Sequence, residues 1–333
     1  MLLVMTSCGN DWLTLEPSTS MQSDDAIKEL RDVKFTLKGV YNVMQNAYAY
    51  SGRLVYYADA TGDDMQATSV TKRTANCYLF NFTKDFSPAT FWSYPYHLIA
   101  SCNLALNKID GISTTQTELR DAYKGEALAL RGMFLFDLTR LYGYPYKKDN
   151  GASQGVPIVT KVLEKGDKPA RNTVAECYDQ VISDLKEAAR LMNNSEGLVY
   201  KKGHISRWAV LTLLSRVYLY HGDDALALAT AEEAISGAEA DKYTLWTNEQ
   251  YPLAWADNVS PTKRGEVLFE IINLTDDSPG KESLGYLHNP NGYSDIAVTG
   301  SFYKLLTEDP NDVRVKLISI SGKRGYVNTY QPQ

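Results

Sequence analysis

Apolar residues recur at intervals of three and four along much of this chain, which indicates a mainly helical protein. The pattern predicts helices over about residues 23–49, 91–109, 116–142, 173–192, 205–221, 224–237 and 301–307. Ser23, Thr115 and Thr173 stand where a helix N-cap is needed. Thr115 and Thr173 are each followed three residues later by a glutamate, which completes the pattern of a capping box.

Other stretches break the helical pattern. Residues 51–90 hold Gly, Asp, Thr, Asn and scattered aromatic residues without helical spacing, and residues 143–172 are rich in Gly, Pro, Lys and Asp. Both are predicted to be long excursions, and long loops in compact domains are usually functional or disordered. The apolar run 265–272 predicts a buried strand, and the chain beyond residue 307 is expected to be irregular.

One pair of helices has the spacing of a tetratricopeptide repeat. Large residues on its first helix would meet small residues on the second, and a glycine would serve the tight turn between them. The positions in this register are Leu211, Leu214, Ser215, Tyr218, Gly222, Asp223, Ala227, Ala231 and Ala234. The expected fold class is therefore mainly α, with tetratricopeptide-like helical repeats, long irregular excursions and a few short strands.

Composition narrows the functional classes. The 333 residues are 44% hydrophobic and 22% charged, as in an ordinary globular protein, and the formal net charge is −6. A negative chain argues against nucleic acid as the main partner, since phosphate binding needs a basic footprint. No run of about 18 apolar residues follows Cys8, so no membrane-spanning helix is predicted.

Motifs for enzymatic or metal chemistry do not occur in the sequence. Cys77, Cys102 and Cys177 are widely separated and make no metal-ligand spacing with the histidines, so they are expected to be small buried apolar residues. The nucleophile elbow, the His-Glu-x-x-His helix and the Walker loop are missing from the sequence. Glu126 and Arg131 lie in the middle of a predicted helix, where ion pairs are expected rather than catalysis. The sequence thus predicts neither an enzyme nor a bound cofactor or metal.

The residues from Leu2 to Cys8, Leu-Leu-Val-Met-Thr-Ser-Cys, have the pattern of a lipoprotein signal. Lipoprotein signal peptidase cuts before a cysteine that follows a short apolar run and a small residue, after diacylglycerol has been attached to the thiol. Residues 1–8 would then be a signal remnant with the lipidated cysteine, 9–22 an extended tether and 23–333 one helical domain. The apolar run is short and no Lys or Arg precedes it, so the true start is expected upstream. The alternative is a buried apolar segment with an incidental cysteine.

These segments together resemble the SusD/RagB family of outer-membrane nutrient-binding lipoproteins of Bacteroidetes. The likeness begins at Cys8 with Asp-Trp-Leu shortly after it, and includes an aromatic-led helix from Trp92 to Asn103. It continues through residues 125–143, 205–218 and 266–271 in the family's order, and so spans nearly the whole chain. Family members continue with a further helix that packs back on the repeats, so this chain is expected to lack the family's C-terminal helices.

The resemblance implies a surface-exposed, lipid-anchored protein of the outer membrane, not an enzyme. Such proteins lie over a SusC-like TonB-dependent transporter, capture glycans or in some members peptides, and pass them to the pore. The repeats would face the transporter and the excursions would form the ligand face. Two other interpretations compete with this one: a tetratricopeptide-like scaffold for a protein or peptide partner, and a surface hydrolase. The hydrolase is disfavoured, since adjacent carboxylates rarely reach the separation of about 5–10 Å that a glycosidase pair needs.

Sugar binding needs flat aromatic faces for the apolar side of a pyranose, and carboxylates or amides for its hydroxyl groups. Tyrosine offers an apolar face and a polar tip, and the chain holds 23 tyrosines. The resemblance places ligand contacts in the first excursion and in the loops after residue 270. The candidates are Asp59, Asp63, Asp64, Tyr78, Phe82, Phe86, Trp92, Tyr94, Tyr96, Tyr286, Asn289 and Tyr293. For Trp92 a role in the helix core is an equal alternative, and for Asp63 and Asp64 the alternative is a solvated turn.

Overall fold

Helices make up most of the structure. The computed structural model describes residues 26–83, 90–194, 203–256, 265–273, 277, 279–321 and 324–327. Its helices are α1 (Leu30–Met44), α2 (Arg53–Thr61), α3 (Ala75–Tyr78), α4 (Thr90–Ile109), α5 (Thr117–Tyr142), α6 (Val174–Leu191), α7 (Arg207–His221), α8 (Asp224–Ala240), α9 (Gln250–Ala256), α10 (Leu284–His288) and α11 (Gly300–Leu306). Its strands are β1 (Met65–Ala67), β2 (Ile296–Val298), β3 (Ile318–Ser321) and β4 (Arg324–Val327). Single 3-10 turns lie at Tyr146–Lys148, Met192–Asn194, Gly280–Glu282 and Val313–Leu317.

Helices α4 to α8 form an array in which each packs against the next, and α1 lies against α4 and α5. Helix α5 is at the centre, and its buried positions run almost without interruption from Ala122 to Thr139. This follows from the sequence, because apolar residues surround the helix instead of forming one stripe, which is typical of a buried helix. The predicted fold class is confirmed.

A buried ion pair joins the middle of this array. The Arg131 guanidinium on α5 donates from Nε and Nη2 to the two carboxylate oxygens of Asp184 on α6, at 2.8 and 2.7 Å. Its Nη1 donates to Asn103 Oδ1 on α4 at 3.0 Å. The amide of Asn103 in turn donates to the carbonyl oxygens of Val159 and Lys161, at 2.9 and 3.2 Å. Three helices and the 143–173 connection are therefore held by one network, and the ion pair expected for Arg131 is confirmed.

A second buried acid, Glu126, links α1, α5 and the start of α7. Its Oε1 accepts hydrogen bonds from the hydroxyl of Tyr41 at 2.5 Å and from Nδ1 of His204 at 2.6 Å. The Tyr41 hydroxyl also accepts from the backbone N–H of Ile205 at 3.0 Å. Burial, followed by the neighbouring Glu126 charge, raises the pKa of Tyr41 well above its usual value, so this hydroxyl stays a donor. Glu126 is fully buried, and the interaction is structural.

The predicted repeat is the α7–α8 hairpin. Leu211, Leu214 and Tyr218 are buried on α7, and Ala227 and Ala234 are buried opposite them on α8. Gly222 ends α7 with φ +105°, a left-handed conformation that glycine adopts at little cost. A Cβ on Gly237 would lie 2.2 Å from the ring of Trp208, so the missing side chain lets the indole lie against α8. The small residues of the repeat thus determine how closely the two helices approach.

The four strands form one antiparallel sheet in the order β1-β2-β4-β3. Met65 pairs with Val298, Ala67 with Ile296, and Ile318 with Val327. A small core of Ala60, Met65, Ile296 and Val298 lies on this sheet, separate from the core of the helical array. The first excursion is therefore attached to the C-terminal part of the chain by strand pairing.

Several predicted boundaries are wrong, each for a local reason. Helix α1 begins at Leu30, where the Asp32 carboxylate accepts from the N–H groups of Lys28 and Glu29 at 2.9 and 3.0 Å, and ends at Met44 instead of 49. The predicted cap at Ser23 lies outside the described residues. Gln116, not Thr115, is the N-cap of α5. Glu118 is therefore one position too early to bond the N–H of the N-cap residue, as a capping box requires. The capping box of Thr173 and Glu176 is confirmed.

The predicted strand over 265–272 does not form. This segment is irregular and half-buried against the helical array, and side chains from the array donate to two of its carbonyl groups. Ser206 Oγ donates to the Leu268 carbonyl at 2.9 Å, and the Gln45 amide donates to the Ile272 carbonyl. Conversely, residues 51–90 contain α2, β1 and α3, and the region after 307 contains the β3–β4 hairpin, both predicted as irregular. Helix α8 also extends to Ala240, three residues beyond its predicted end.

The buried network yields a first prediction. Replacing Arg131 with Met leaves the Asp184 carboxylate buried without its guanidinium, and should lower the free energy of unfolding by about 3–5 kcal/mol. Adding Asp184→Leu to Arg131→Met should recover most of this loss, because no charge is then buried alone. Urea unfolding followed by circular dichroism measures both variants.

Arg190→Met is the matched control, since its ion pair with Glu187 is exposed to solvent and should contribute little. The interpretation fails if Arg131→Met unfolds at the same urea concentration as the Arg190→Met protein.

Candidate binding face

The two segments that hold the predicted ligand residues lie side by side. Beyond the β1–β2 pairing, the backbone N–H of Thr68 donates to the Asp295 carbonyl at 3.1 Å, and Thr74 Oγ1 donates to the same oxygen at 2.8 Å. Helix α2 runs behind both, with the Asp59 carboxylate 3.7 Å from Nε2 of His288 on α10. We call this region, residues 53–83 together with 280–299, the binding face.

An aromatic patch, consisting of the half-buried Tyr57 and the exposed Phe80 and Phe82, lies on this face. The ring centroids of Phe80 and Phe82 are 6.4 Å apart, and those of Tyr57 and Phe82 are 5.9 Å apart. The exposed fractions of Phe80 and Phe82 are 66% and 40%. Behind Tyr57 lies the buried ring of Phe91, at 5.4 Å with an interplanar angle of 80°. The patch is therefore supported from below and open to solvent above.

Phe80 is presented by an unusual backbone conformation. Its φ is +53°, in the left-handed region that residues other than glycine rarely adopt. The conformation follows the end of α3, where the N–H of Phe80 donates to the Cys77 carbonyl at 3.0 Å and that of Asn81 to the Asn76 carbonyl at 2.9 Å. Such a residue costs about 1–2 kcal/mol relative to an ordinary backbone. An unfavourable conformation that exposes a large aromatic ring suggests a functional requirement at this position.

A tyrosine pair, Tyr286 and Tyr293, lies at the other end of the face. Their ring centroids are 5.0 Å apart at 80°, and the N–H of Tyr293 donates to the Tyr286 carbonyl at 3.0 Å. The Arg73 guanidinium lies 4.5 Å from the centroid of Tyr293. Asn289 Oδ1 accepts from the N–H of Asn291 at 2.8 Å, which fixes the turn between the two tyrosines. Both rings are half-buried, so they offer less free surface than Phe80.

Asp295 holds the arginine beside this pair. Arg73 Nε lies 2.5 Å from Asp295 Oδ2, and Arg73 Nη1 lies 2.8 Å from Glu282 Oε2. Asp295 is only 2% exposed, and this burial raises the pKa of its carboxyl group, while Arg73 and Lys72 act in the opposite direction. Arg73 is thus already paired with two carboxylates, and its role is to attach α10 and β2 to the first excursion.

The predicted acidic residues Asp63 and Asp64 are not brought near the tyrosine pair. They precede β1, and their carbonyl oxygens each accept from Thr299, through Oγ1 and the backbone N–H, at 2.9 Å. Thr68, whose N–H donates to the Asp295 carbonyl close to Tyr293, follows Asp64 by four residues. Four residues of extended chain span about 13 Å. Both side chains are exposed, so they are available to solvent at a separate edge of the face.

Trp92 and Tyr96 pack into the helical array. The Trp92 ring is half-buried, with centroids 5.2 Å from Tyr96 and 5.0 Å from Tyr142, and the Tyr96 hydroxyl donates to the Pro157 carbonyl at 2.8 Å. This packing favours the structural alternative for Trp92. Tyr94 stacks on Tyr48 at 6.4 Å, next to but outside the patch.

The other residues singled out in the sequence are Tyr78, Phe86 and the cysteines. Tyr78 is 38% exposed on α3, two residues before Phe80. Phe86 and Cys8 lie outside the described residues. Cys102 and Cys177 are buried as expected, whereas Cys77 is half-buried, and burial raises the pKa of Cys102 to about 12. The sequence analysis did not single out Phe80, although it lies between Tyr78 and Phe82, two of the aromatic candidates.

Nothing in the described ranges shows a metal site or a membrane span. No group of three or more His, Cys, Asp or Glu side chains there is placed to hold a metal ion. None of the described helices is both long and apolar enough to cross a bilayer.

Comparison with known proteins gives consistent matches. The model of a SusD-like family, described as starch-binding and associating with the outer membrane, matches residues 11–219. A solved structure from Bacteroides vulgatus, described as a candidate sugar-binding protein, is 57% identical with a TM-score of 0.88, over 92% of this chain and 69% of its own. A SusD superfamily protein from Bacteroides thetaiotaomicron is 32% identical with a TM-score of 0.79, over 88% of this chain and 65% of its own.

A curated relative, SusD-like protein P38 from Formosa agariphila, is 27% identical over 260 residues. The match covers 76% of this chain but only 46% of that protein, so the chain spans about half the length of this relative.

Proposed function

The chain belongs to the SusD-like family of starch-binding proteins that associate with the outer membrane, and we propose that it captures glycans at the cell surface. In this proposal it is anchored by lipid on Cys8 and delivers its ligand to a SusC-like TonB-dependent transporter. The observation that carries the proposal is the aromatic patch of Tyr57, Phe80 and Phe82, whose two phenylalanine rings are exposed on a face built from the first excursion and residues 280–299. The anchor and the transporter rest on the signal-like N-terminus and on family membership.

The chemistry of the patch suits a sugar ring. Phenylalanine rings offer flat apolar surfaces to the C–H side of a pyranose, and the half-buried Tyr57 ring packs beside Phe82. An open platform of this kind excludes little water, so dissociation constants in the micromolar to millimolar range are expected. They correspond to a binding free energy of about 4–8 kcal/mol in magnitude. Weak capture is compatible with handing a ligand on.

The second element of the proposal is that the protein binds glycans without hydrolysing them. Asp63 and Asp64 are neighbours on one turn and do not face each other across a cleft. Asp59 lies beside His288, and Asp295 is engaged by Arg73. These four carboxylates of the face therefore do not form the opposed pair that glycoside hydrolysis uses.

A direct test is affinity electrophoresis through gels cast with starch, pullulan, laminarin or polygalacturonate. The chain should be retarded by at least one polymer, and a Phe80→Gly/Phe82→Ala variant should migrate freely. Glycine at position 80 relieves the left-handed backbone, so this variant should keep its fold, as circular dichroism would verify.

Phe35→Ala is the matched control, because Phe35 is 56% exposed on α1 and lies outside the patch. Retardation of the double variant equal to that of the parent would exclude the patch as the platform. Free migration of the folded parent in every gel would argue against glycan capture.

The anchor is tested in cells. The protein without substitutions should incorporate labelled palmitate and co-purify with a TonB-dependent receptor from detergent-solubilised outer membranes. Cys8→Ser should abolish the label and release the protein from the membrane fraction, because the thiol is the only acceptor in the proposed signal. A Cys77→Ser variant provides the control. Membrane retention of the Cys8→Ser protein without label would refute lipid anchoring at this position.

A further inference from the structure

A groove on the helical array lies apart from the binding face. It is formed by α6, α7 and α8 and has a volume of about 290 Å³, just below the usual range of small-ligand pockets. Its floor includes Leu211, Leu214 and Tyr218 of α7, and its rims carry charged side chains from α6 and α8. Repeat arrays commonly bind extended segments in such grooves.

The charges around the groove are predominantly positive. Lys186, Arg190 and Arg207 line it, and the only negative side chain among its lining residues in the described structure is Glu233. This excess occurs in a chain whose formal net charge is −6. A local cationic groove on a negative protein attracts negatively charged groups and disfavours basic ones.

Arg207 is held in position before any ligand arrives. Its Nε donates to the Ala189 carbonyl at 3.1 Å, and its Nη2 lies 2.8 Å from Glu233 Oε1. The Arg207 side chain is 19% exposed, whereas that of Glu233 is 53% exposed. A guanidinium that a backbone carbonyl already holds in place loses little conformational freedom when it binds a carboxylate. Glu233 therefore occupies the position that a carboxylate ligand would take.

Lys186 and Arg190 stand one turn apart on α6, on the same side of the helix. Arg190 is paired with Glu187, but the two side chains are 67% and 42% exposed, so this pair is weak and easily exchanged. The exposed Lys186 has no carboxylate within ion-pair distance among the residues that the structure describes. Two cations can thus turn toward a ligand held by Arg207.

We propose that this groove binds a short acidic segment of another protein. A ligand carboxylate pairs with Arg207 and Lys186, in competition with Glu233. Residues 207 to 218 span about 16 Å of helix, which matches about five residues of extended chain. The groove is separate from the aromatic patch, so the proposal does not depend on glycan capture.

Fluorescence anisotropy with two labelled peptides tests this on the full chain. The acidic probe is Gly-Ser-Leu-Asp-Glu-Leu-Gly, and the reference probe has Lys-Lys in place of Asp-Glu. The acidic probe should bind about tenfold more tightly, and its binding should weaken as salt is added.

Two substitutions should act in opposite directions. Lys186→Glu should weaken the acidic probe about fivefold, as expected for loss of one exposed ion pair and added repulsion. Glu233→Gln should strengthen it, because the internal competitor for Arg207 is removed while the side chain keeps its shape. Arg216→Glu is the matched control, since Arg216 is exposed on α7 outside the groove and its substitution changes the net charge as much as Lys186→Glu does.

The proposal is overturned if the two probes bind equally, if neither binds at about 1 mM, or if Arg216→Glu weakens binding as much as Lys186→Glu. It is also overturned if Glu233→Gln weakens the acidic probe, because Glu233 would then be supporting the site. Circular dichroism of each variant separates these outcomes from unfolding.

Discussion

The buried guanidinium of Arg131 is the contact on which the rest of the structure depends. It lies on the central helix, forms a two-point ion pair with α6, and reaches α4 and the 143–173 connection through Asn103. A buried ion pair of this kind adds little net stability over a well-packed apolar pair, but it tolerates only one arrangement of its partners. The network therefore links α4, α5, α6 and the 143–173 connection in addition to their apolar packing.

The binding face depends on this array but is built differently. Its elements are short, and they are held by one small apolar core and by the Arg73–Asp295 pair, not by long helices. Elements with few buried apolar contacts open more easily than a packed core, and binding loops are commonly drawn from such regions. The helical array is therefore stable on its own core, and side chains of the binding face can be substituted without disturbing the array. The left-handed backbone at Phe80 is an example, because the cost is local and the result is an exposed ring.

Long periodic helices could be predicted from the sequence, and so could the α7–α8 hairpin, because each is encoded by residues close together in the chain. The sheet could not, since β1 and β2 are about 230 residues apart and only the fold brings Met65 to Val298. Helix α2 was missed because it buries only Tyr56 and Ala60, too short a stripe to show a period. At the candidate site, aromatic content marked the segment 59–96, but it could not separate Trp92, which packs inward, from Phe80, whose ring is exposed. That distinction depends on tertiary packing and on one backbone angle.

Hydrogen exchange on the full chain, with and without an oligosaccharide of a polymer that retards it, tests the central claim most directly. If a rigid array carries a glycan-binding face, amide protection should rise in residues 53–61 and 75–83 on ligand addition. Exchange in α5 and α6 should remain slow and unchanged. Protection that appears only outside the binding face, or that spreads through α5 and α6 while the face is unaffected, would contradict this account.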